Sequence, residues 1–235
     1  MSNLPFPGFS TLQELRGWAS TQAGILLTIL PDGPAAFLEQ LQGPPDVRLA
    51  EAVKFFAFIF LLCVIITLPL DYTIWRLDVT DVGSTLSGAI LNLIGIILFC
   101  VCLHLIARLF RSESDLKSGL TALFFSTAYL PLLVATKYIE GADPAGQQFS
   151  LGKLQNDVII ETITSHPILI IAVTVQAALI FYMIYKLVGV VKYTYEFGTI
   201  KALATIIVAG GIHSLIVSYI LRPYFIAIVG TGGRP

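Results

Sequence analysis

The three histidines, His104, His166 and His213, and the three cysteines, Cys63, Cys100 and Cys102, are the side chains best suited to metal, haem or nucleophilic chemistry. A shared metal or haem site needs its ligands at one depth. With about 1.5 Å of rise per helical residue, His104 falls roughly 5 Å from the inner end of its apolar stretch and His213 roughly 12 Å from the outer end of another. His166 falls at a boundary. No Asp or Glu lies inside an apolar stretch to complete a ligand set or a proton relay. All three cysteines sit in apolar runs and read as small buried hydrophobes, not as disulfides or thiolate ligands. There is no Gly-x-Ser-x-Gly elbow, no His-Glu-x-x-His, no glycine-rich phosphate loop and no pair of intramembrane carboxylates. The expectation is a protein without catalytic residues, cofactor or metal.

Other polar residues inside apolar stretches need a reading, because such groups are expensive in lipid. Asn92, Gln176 and His213 share a depth, roughly 12–15 Å from the outer face by the same rise. As structural glue they would satisfy one another across helices. In a permease they would line a path together with Tyr129. Ser84, Gly88, Asn92 and Gly95 recur at four, four and three residues, and Gly210, Ser214 and Ser218 at four and four. Small residues at that period let helix backbones approach closely, so these read as packing faces.

The elements that must position these groups follow from composition. Of 235 residues 56% are apolar and only 12% charged, with mean hydropathy +0.83. Soluble proteins carry roughly 25% charged residues, so here lipid must cover the surface. Net charge −1 argues against nucleic acid, which demands a clustered basic face. A helix crosses a membrane with about 20 apolar residues. Five stretches qualify: Phe55–Leu70, Val82–Ala107, Ser118–Thr136, Thr162–Tyr185 and Ala202–Leu221. Tyr72 and Trp75 extend the first as an aromatic belt pair. The fold class is therefore all-α, a polytopic membrane bundle of about five transmembrane helices. It divides into an N-terminal region, 1–51, and a transmembrane domain, 52–235. The opening residues Met1–Phe9 do not read as a cleavable signal.

Nine Lys and Arg lie on one side of these spans: Arg16, Arg48, Lys54, Arg108, Arg111, Lys117, Lys186, Lys192 and Lys201. Five lie on the other: Arg76, Lys137, Lys153, Arg222 and Arg234. The bias predicts a cytoplasmic N-terminus and an outside C-terminus. Gly17–Leu30 is uncharged for 14 residues, too short to span, and Pro31 and Gly33 stop it. It reads as an interfacial or re-entrant helix, with Trp18 at headgroup level and Ile25, Leu26, Ile29 and Leu30 as its apolar stripe. Tyr224–Val229 is apolar but too short to cross. The long connection Tyr138–Glu161 is expected outside. Arg108, Arg111, Glu113, Asp115 and Lys117 form a short cytoplasmic loop, in which Ser112-x-x-Asp115 reads as a helix-starting cap.

Two local patterns add a resemblance. Leu41-Gln42-Gly43-Pro44 before the first span is similar to an Asp-Leu-x-Gly-Pro stretch, without the acidic residue. Ala128-Tyr129-Leu130-Pro131 in the third span is similar to a Gly-Tyr…Pro feature, with Ala for Gly and a shorter spacing. With five spans and the N-terminus inside, the chain resembles the Ypt-interacting-protein (Yip) domain family over Leu41 to Leu221. That resemblance implies a non-enzymatic membrane protein whose eukaryotic relatives bind small GTPases and help shape vesicle membranes. The short, partly apolar N-terminal region departs from that pattern. It points away from GTPase binding and toward a bacterial inner membrane, with a eukaryotic endomembrane as the alternative. Three functions stand open. One is a scaffold or accessory protein working through lipid and other membrane subunits or a second copy; the others are a permease or channel component, and a lipid-acting enzyme using the Arg108–Lys117 loop.

Overall fold

A computed structural model describes residues 11–73, 82–141 and 166–221, with side chains except at 70–73, 82–89, 91, 92 and 140. All regular structure among them is helical. Thr11 begins α1 (Leu12–Asp32): its side chain accepts the Glu14 N–H at 3.2 Å, the donor-satisfying arrangement of a helix start. Pro31 occupies the last turn, and Gly33, at φ +94°, closes α1 by donating to the Ile29 carbonyl at 2.8 Å. α2 (Pro34–Gln40) follows, and a turn through Gly43 at φ +113° leads to α3 (Pro45–Thr73). Both glycines take backbone conformations that side-chain-bearing residues resist.

α4 (Val82–Leu109) ends in a tight reversal, where Arg111 takes φ +64° and the Ser112 N–H reaches back to Ala107 at 3.1 Å. α5 (Leu116–Ser126) starts on Asp115, whose carboxylate accepts the Ser118 N–H at 2.9 Å. The helix-starting cap is thus Asp115. Ser112, expected in that role, lies three residues upstream, and its hydroxyl accepts the Ser114 N–H instead. A 3₁₀ turn, Thr127–Tyr129, precedes α6 (Leu130–Ala135). Pro131 brings no N–H for the α-type bond to Thr127, and the Leu130 N–H takes that carbonyl in the tighter pattern. The remaining helices are α7 (Lys137–Gly141), α8 (Pro167–Tyr195) and α9 (Thr199–Ile216), the last followed by a π turn, Val217–Leu221.

Among the described residues, four helical segments are long and apolar enough to cross a membrane: Pro45–Pro69, Leu116–Ile139, Pro167–Tyr195 and Thr199–Leu221. α4 adds a shorter described apolar stretch, Leu93–Leu109. The chain is an integral membrane protein. Its central rod is α5–α7, of whose apolar window 61% is buried, against 22%, 11% and 22% for α3, α8 and α9. The rod packs on α3, α8 and α4. Ring pairs fix its register: Phe56 stacks on Phe124 at 4.8 Å and Phe55 meets Phe125 at 5.2 Å. Farther along, the Tyr138 hydroxyl donates to the Ile66 carbonyl at 2.6 Å, and at the opposite end Lys117 pairs with Asp46. α3 and the rod therefore run parallel. α8 runs antiparallel to the rod, with Tyr195 beside Gly119 and Tyr182 beside Tyr129.

α3 starts at Pro45 and runs across residues 51 and 52 to Thr73. One expected boundary is corrected. The fourth span does not stop at Tyr185: α8 continues through Lys186 and Lys192 to Tyr195. The Lys186 ammonium has a place inside the assembly, so its charge ends no helix.

Candidate functional site

Three polar side chains of the rod and α8 gather around the C-terminal end of α1. The last carbonyls of a helix have no intrahelical donor and carry the negative end of its dipole. Here Tyr129 donates to the Ile29 carbonyl at 3.2 Å, and Tyr182 to Leu30 at 3.4 Å. Lys186 reaches both Pro31 and Asp32 carbonyls at 3.4 Å. The Tyr129 and Tyr182 rings meet edge to face at 5.4 Å, and the Lys186 ammonium lies 5.2 Å from the Tyr182 ring. Gly33 permits this approach, since a Cβ there would come within 3.0 Å of the Lys186 stem. Tyr129 is 2% exposed and Ile29 0%, so the seat is closed on the side of the rod, whereas Tyr182, 37% exposed, and the Lys186 contacts face the surface.

These contacts also orient α1. Near its start Trp18 meets the Phe58 ring at 5.9 Å; at its end it meets Tyr129, Tyr182 and Lys186. In the register set by Phe55–Phe125 and Tyr129–Tyr182, those partners lie at one height of the bundle. α1 therefore crosses the side of the bundle, perpendicular to the spans, from α3 past the rod to α8. The segment Gly17–Leu30 is thus docked on the bundle. Ile29 is buried, and Ile25 and Leu26 pack against the core. α2 then descends along the rod and α8, with Phe37 against Phe125 at 4.8 Å.

A second polar cluster lies at the end of the bundle where α4 and α8 finish and α5 and α9 begin. The buried Tyr195 hydroxyl and His104 Nδ1 are 3.4 Å apart, and Ser112 donates to the Tyr195 carbonyl at 3.5 Å. Gly119 makes room: a Cβ there would stand 2.5 Å from the Tyr195 hydroxyl oxygen and 3.2 Å from His104 Nδ1. Of the loop residues, Arg108 donates to the Ser112 carbonyl at 3.2 Å and Lys117 pairs with Asp46. Arg111 and Glu113 are exposed. Hydrogen bonds from Ser118, aided by Lys117 and Arg48, hold the Asp115 carboxyl below the ordinary carboxylate range.

The remaining sequence candidates separate. His213 Nε2 is buried with no hydrogen-bond partner among the described residues, and its ring stands edge-on to Phe99 at 5.6 Å. Gln176 lies on α8, half-buried. The Asn92, Ser84 and Gly88 side chains lie outside the described residues, as do the belt residue Trp75, the Tyr72 side chain, Tyr224–Val229 and most of Tyr138–Glu161. Gly95 does serve packing, with a Cβ position 3.6 Å from His213 Nε2 on α9. Gly210, Ser214 and Ser218, expected as a packing face, lie on the open side of α9 among the described residues. A Cβ on Gly210 would meet nothing within 4 Å, and both serines are exposed. α9 instead buries Ala202, Thr205, Ile206 and Ala209. That face lies about 130° around the helix from the expected one, and Ala202, Thr205 and Ala209 on it are also small enough for close approach. The motif residues have structural places: Leu41 ends α2, Gly43 makes the positive-φ turn before Pro44, Tyr129 holds α1, and Pro131 starts α6. The site residues missing from the sequence reading are Tyr182 and Lys186; their four-residue spacing on one helix face was the available signal.

Compared with known proteins, the chain matches no family model, no curated protein and no solved structure.

Proposed function

We propose that the protein is a non-enzymatic membrane scaffold or accessory subunit, Yip-like in plan, that acts through protein and lipid contacts. In this reading it has five spans, with α4 as the second, a cytoplasmic N-terminus and an outside C-terminus, in a bacterial inner membrane. The observation that carries it is the commitment of Tyr129, Tyr182 and Lys186 to the end of α1. Tyr129, the hydroxyl of the alternative substrate path, is spent with Tyr182 and Lys186 on fixing an in-plane helix to the bundle. The product of that arrangement is a rigid surface along the membrane plane. A second reading, a permease or channel component, is favoured by one observation: the buried Nε2 of His213, which has no hydrogen-bond partner among the described residues.

One experiment separates the two. The protein is purified in mild detergent and its co-purifying membrane subunits are quantified, and the same preparation is reconstituted for solute flux. A stoichiometric partner with no flux is expected. Flux that a His213→Phe change abolishes, with no partner present, overturns the scaffold reading. Topology is checked by cysteine labelling at Ser114 and Gln147, which must react from opposite sides.

A further inference from the structure

We propose that the turns after α4 and α8 together form a headgroup site for an anionic phospholipid of the adjacent leaflet. The inference rests on the lipid contacts of the scaffold reading and names their chemistry. The two turns are neighbours: Ser112 donates to the Tyr195 carbonyl at 3.5 Å, beneath the Tyr195–His104 pair. They also share a backbone peculiarity. Arg111 at φ +64° and Glu196 at φ +55° are the only non-glycine residues with positive φ among those described. Each closes its helix by a long return bond, Ser112 N–H to Ala107 at 3.1 Å and Phe197 N–H to Lys192 at 3.2 Å. Glycine usually fills this place, because a Cβ is strained there. At Arg111 the strain is kept together with a cation, which points to a use for that charge, whereas Glu196 carries the opposite sign and contributes only the turn.

The charge available suits a phosphate diester. Arg108 and Arg111 lie in the first turn, Lys192 one helical turn before Tyr195, and Lys201 in the first turn of α9 with its ammonium 4.3 Å above the Phe197 ring. None of the four makes an ion pair among the described residues. Three carboxylates share the two turns. Asp115 is turned into the first turn of α5 by its bond to Ser118 at 2.9 Å, and Glu113 and Glu196 are exposed. A planar guanidinium matches phosphate oxygens two at a time, which favours the arginines as the primary contact. Directly above them the surface is made for acyl chains. Ile90, Ile94, Ile97, Val101 and Leu105 form one exposed stripe on α4 that ends at Arg108. Apolar stripe below and guanidinium at its end is the chemistry of an amphiphile lying along the helix, and basic sites between spans on the cytoplasmic side take anionic lipid heads.

The test uses the full-length protein in mild detergent, with phosphatidylglycerol or phosphatidylcholine added, read by native mass spectrometry and by melting temperature. Preferential retention of phosphatidylglycerol is expected, with a raised melting temperature. Inorganic phosphate alone should produce no such rise. Arg108→Gln and Arg111→Gln should each weaken the retention by about fivefold, the weight of one cation near an anionic headgroup. Arg111→Gly is the control for folding: relief of the strained φ should leave the protein at least as stable while the lipid preference falls. Equal retention of the two lipids, an unchanged preference in the variants, or stabilisation by inorganic phosphate overturns the inference. Partner subunits are counted in the same samples. Lost lipid preference with partners retained leaves the scaffold reading standing, whereas an unbroken lipid preference without any partner counts against that reading alone.

Discussion

The half of the bundle formed by α3, the α5–α7 rod and α8 is filled with aromatic rings and holds α1 by donated hydrogen bonds; α4 and α9 meet over small residues. In the first region Phe55, Phe56, Phe124, Phe125 and Tyr129 are all buried, and Tyr129, Tyr182 and Lys186 close on one helix end. In the second, Ala202, Thr205 and Ala209 are buried, and Gly95 lies beneath His213. Rings fill wide gaps between helices and carry hydroxyls that can cap a foreign helix. Small residues bring two backbones together and leave nothing over to bind a third element. Only the aromatic half could receive α1.

Substitutions can break this contrast at graded cost. The largest effect is expected from Gly119→Val, since even a Cβ would overlap the buried Tyr195 hydroxyl. A loss of about 3 kcal/mol is expected, read as a collapse of the melting temperature in detergent. Full stability would mean that Tyr195 has somewhere else to go. Next comes Ala209→Leu, where overpacking of a fully buried position between α9 and its neighbours should cost about 2 kcal/mol. Tyr129→Phe keeps the ring and removes the bond to Ile29, costing about 1 kcal/mol. Its signature is local: faster amide exchange in the last turns of α1, with α4 and α9 unaffected. Uniform exchange across the bundle would refute the docking account. The smallest effect is expected from Gly210→Leu, one residue from Ala209 but facing open space. Its stability should stay within about 0.5 kcal/mol of the parent. A large loss there would place another helix against that face.

How far these elements were legible depends on where charge and glycine fall. α4 was read as Val82–Ala107 and is Val82–Leu109, because 26 residues without a charge admit one interpretation. α8 was cut short at Tyr185, because Lys186 looks like the edge of a span and Glu196 replaces the glycine that usually announces a helix end. The start of α1 carries its signal in Thr11 and Glu14, a Thr-x-x-Glu capping pattern that lies upstream of the apolar stretch Gly17–Leu30. On α9 two adjacent faces are rich in small residues, and spacing alone favoured Gly210, Ser214 and Ser218 over Ala202, Thr205 and Ala209.

Composition by itself determined that this chain is helical and belongs in a membrane, because 12% charge cannot cover a surface in water and backbone in lipid must bond internally. The same reasoning set most span positions. Only the tertiary structure decided which polar groups meet. Tyr129, Tyr182 and Lys186 converge on the end of α1 because parallel α3 and antiparallel α8 bring equal heights together. Register between helices is a property of packed side chains, and no periodicity within one helix records it.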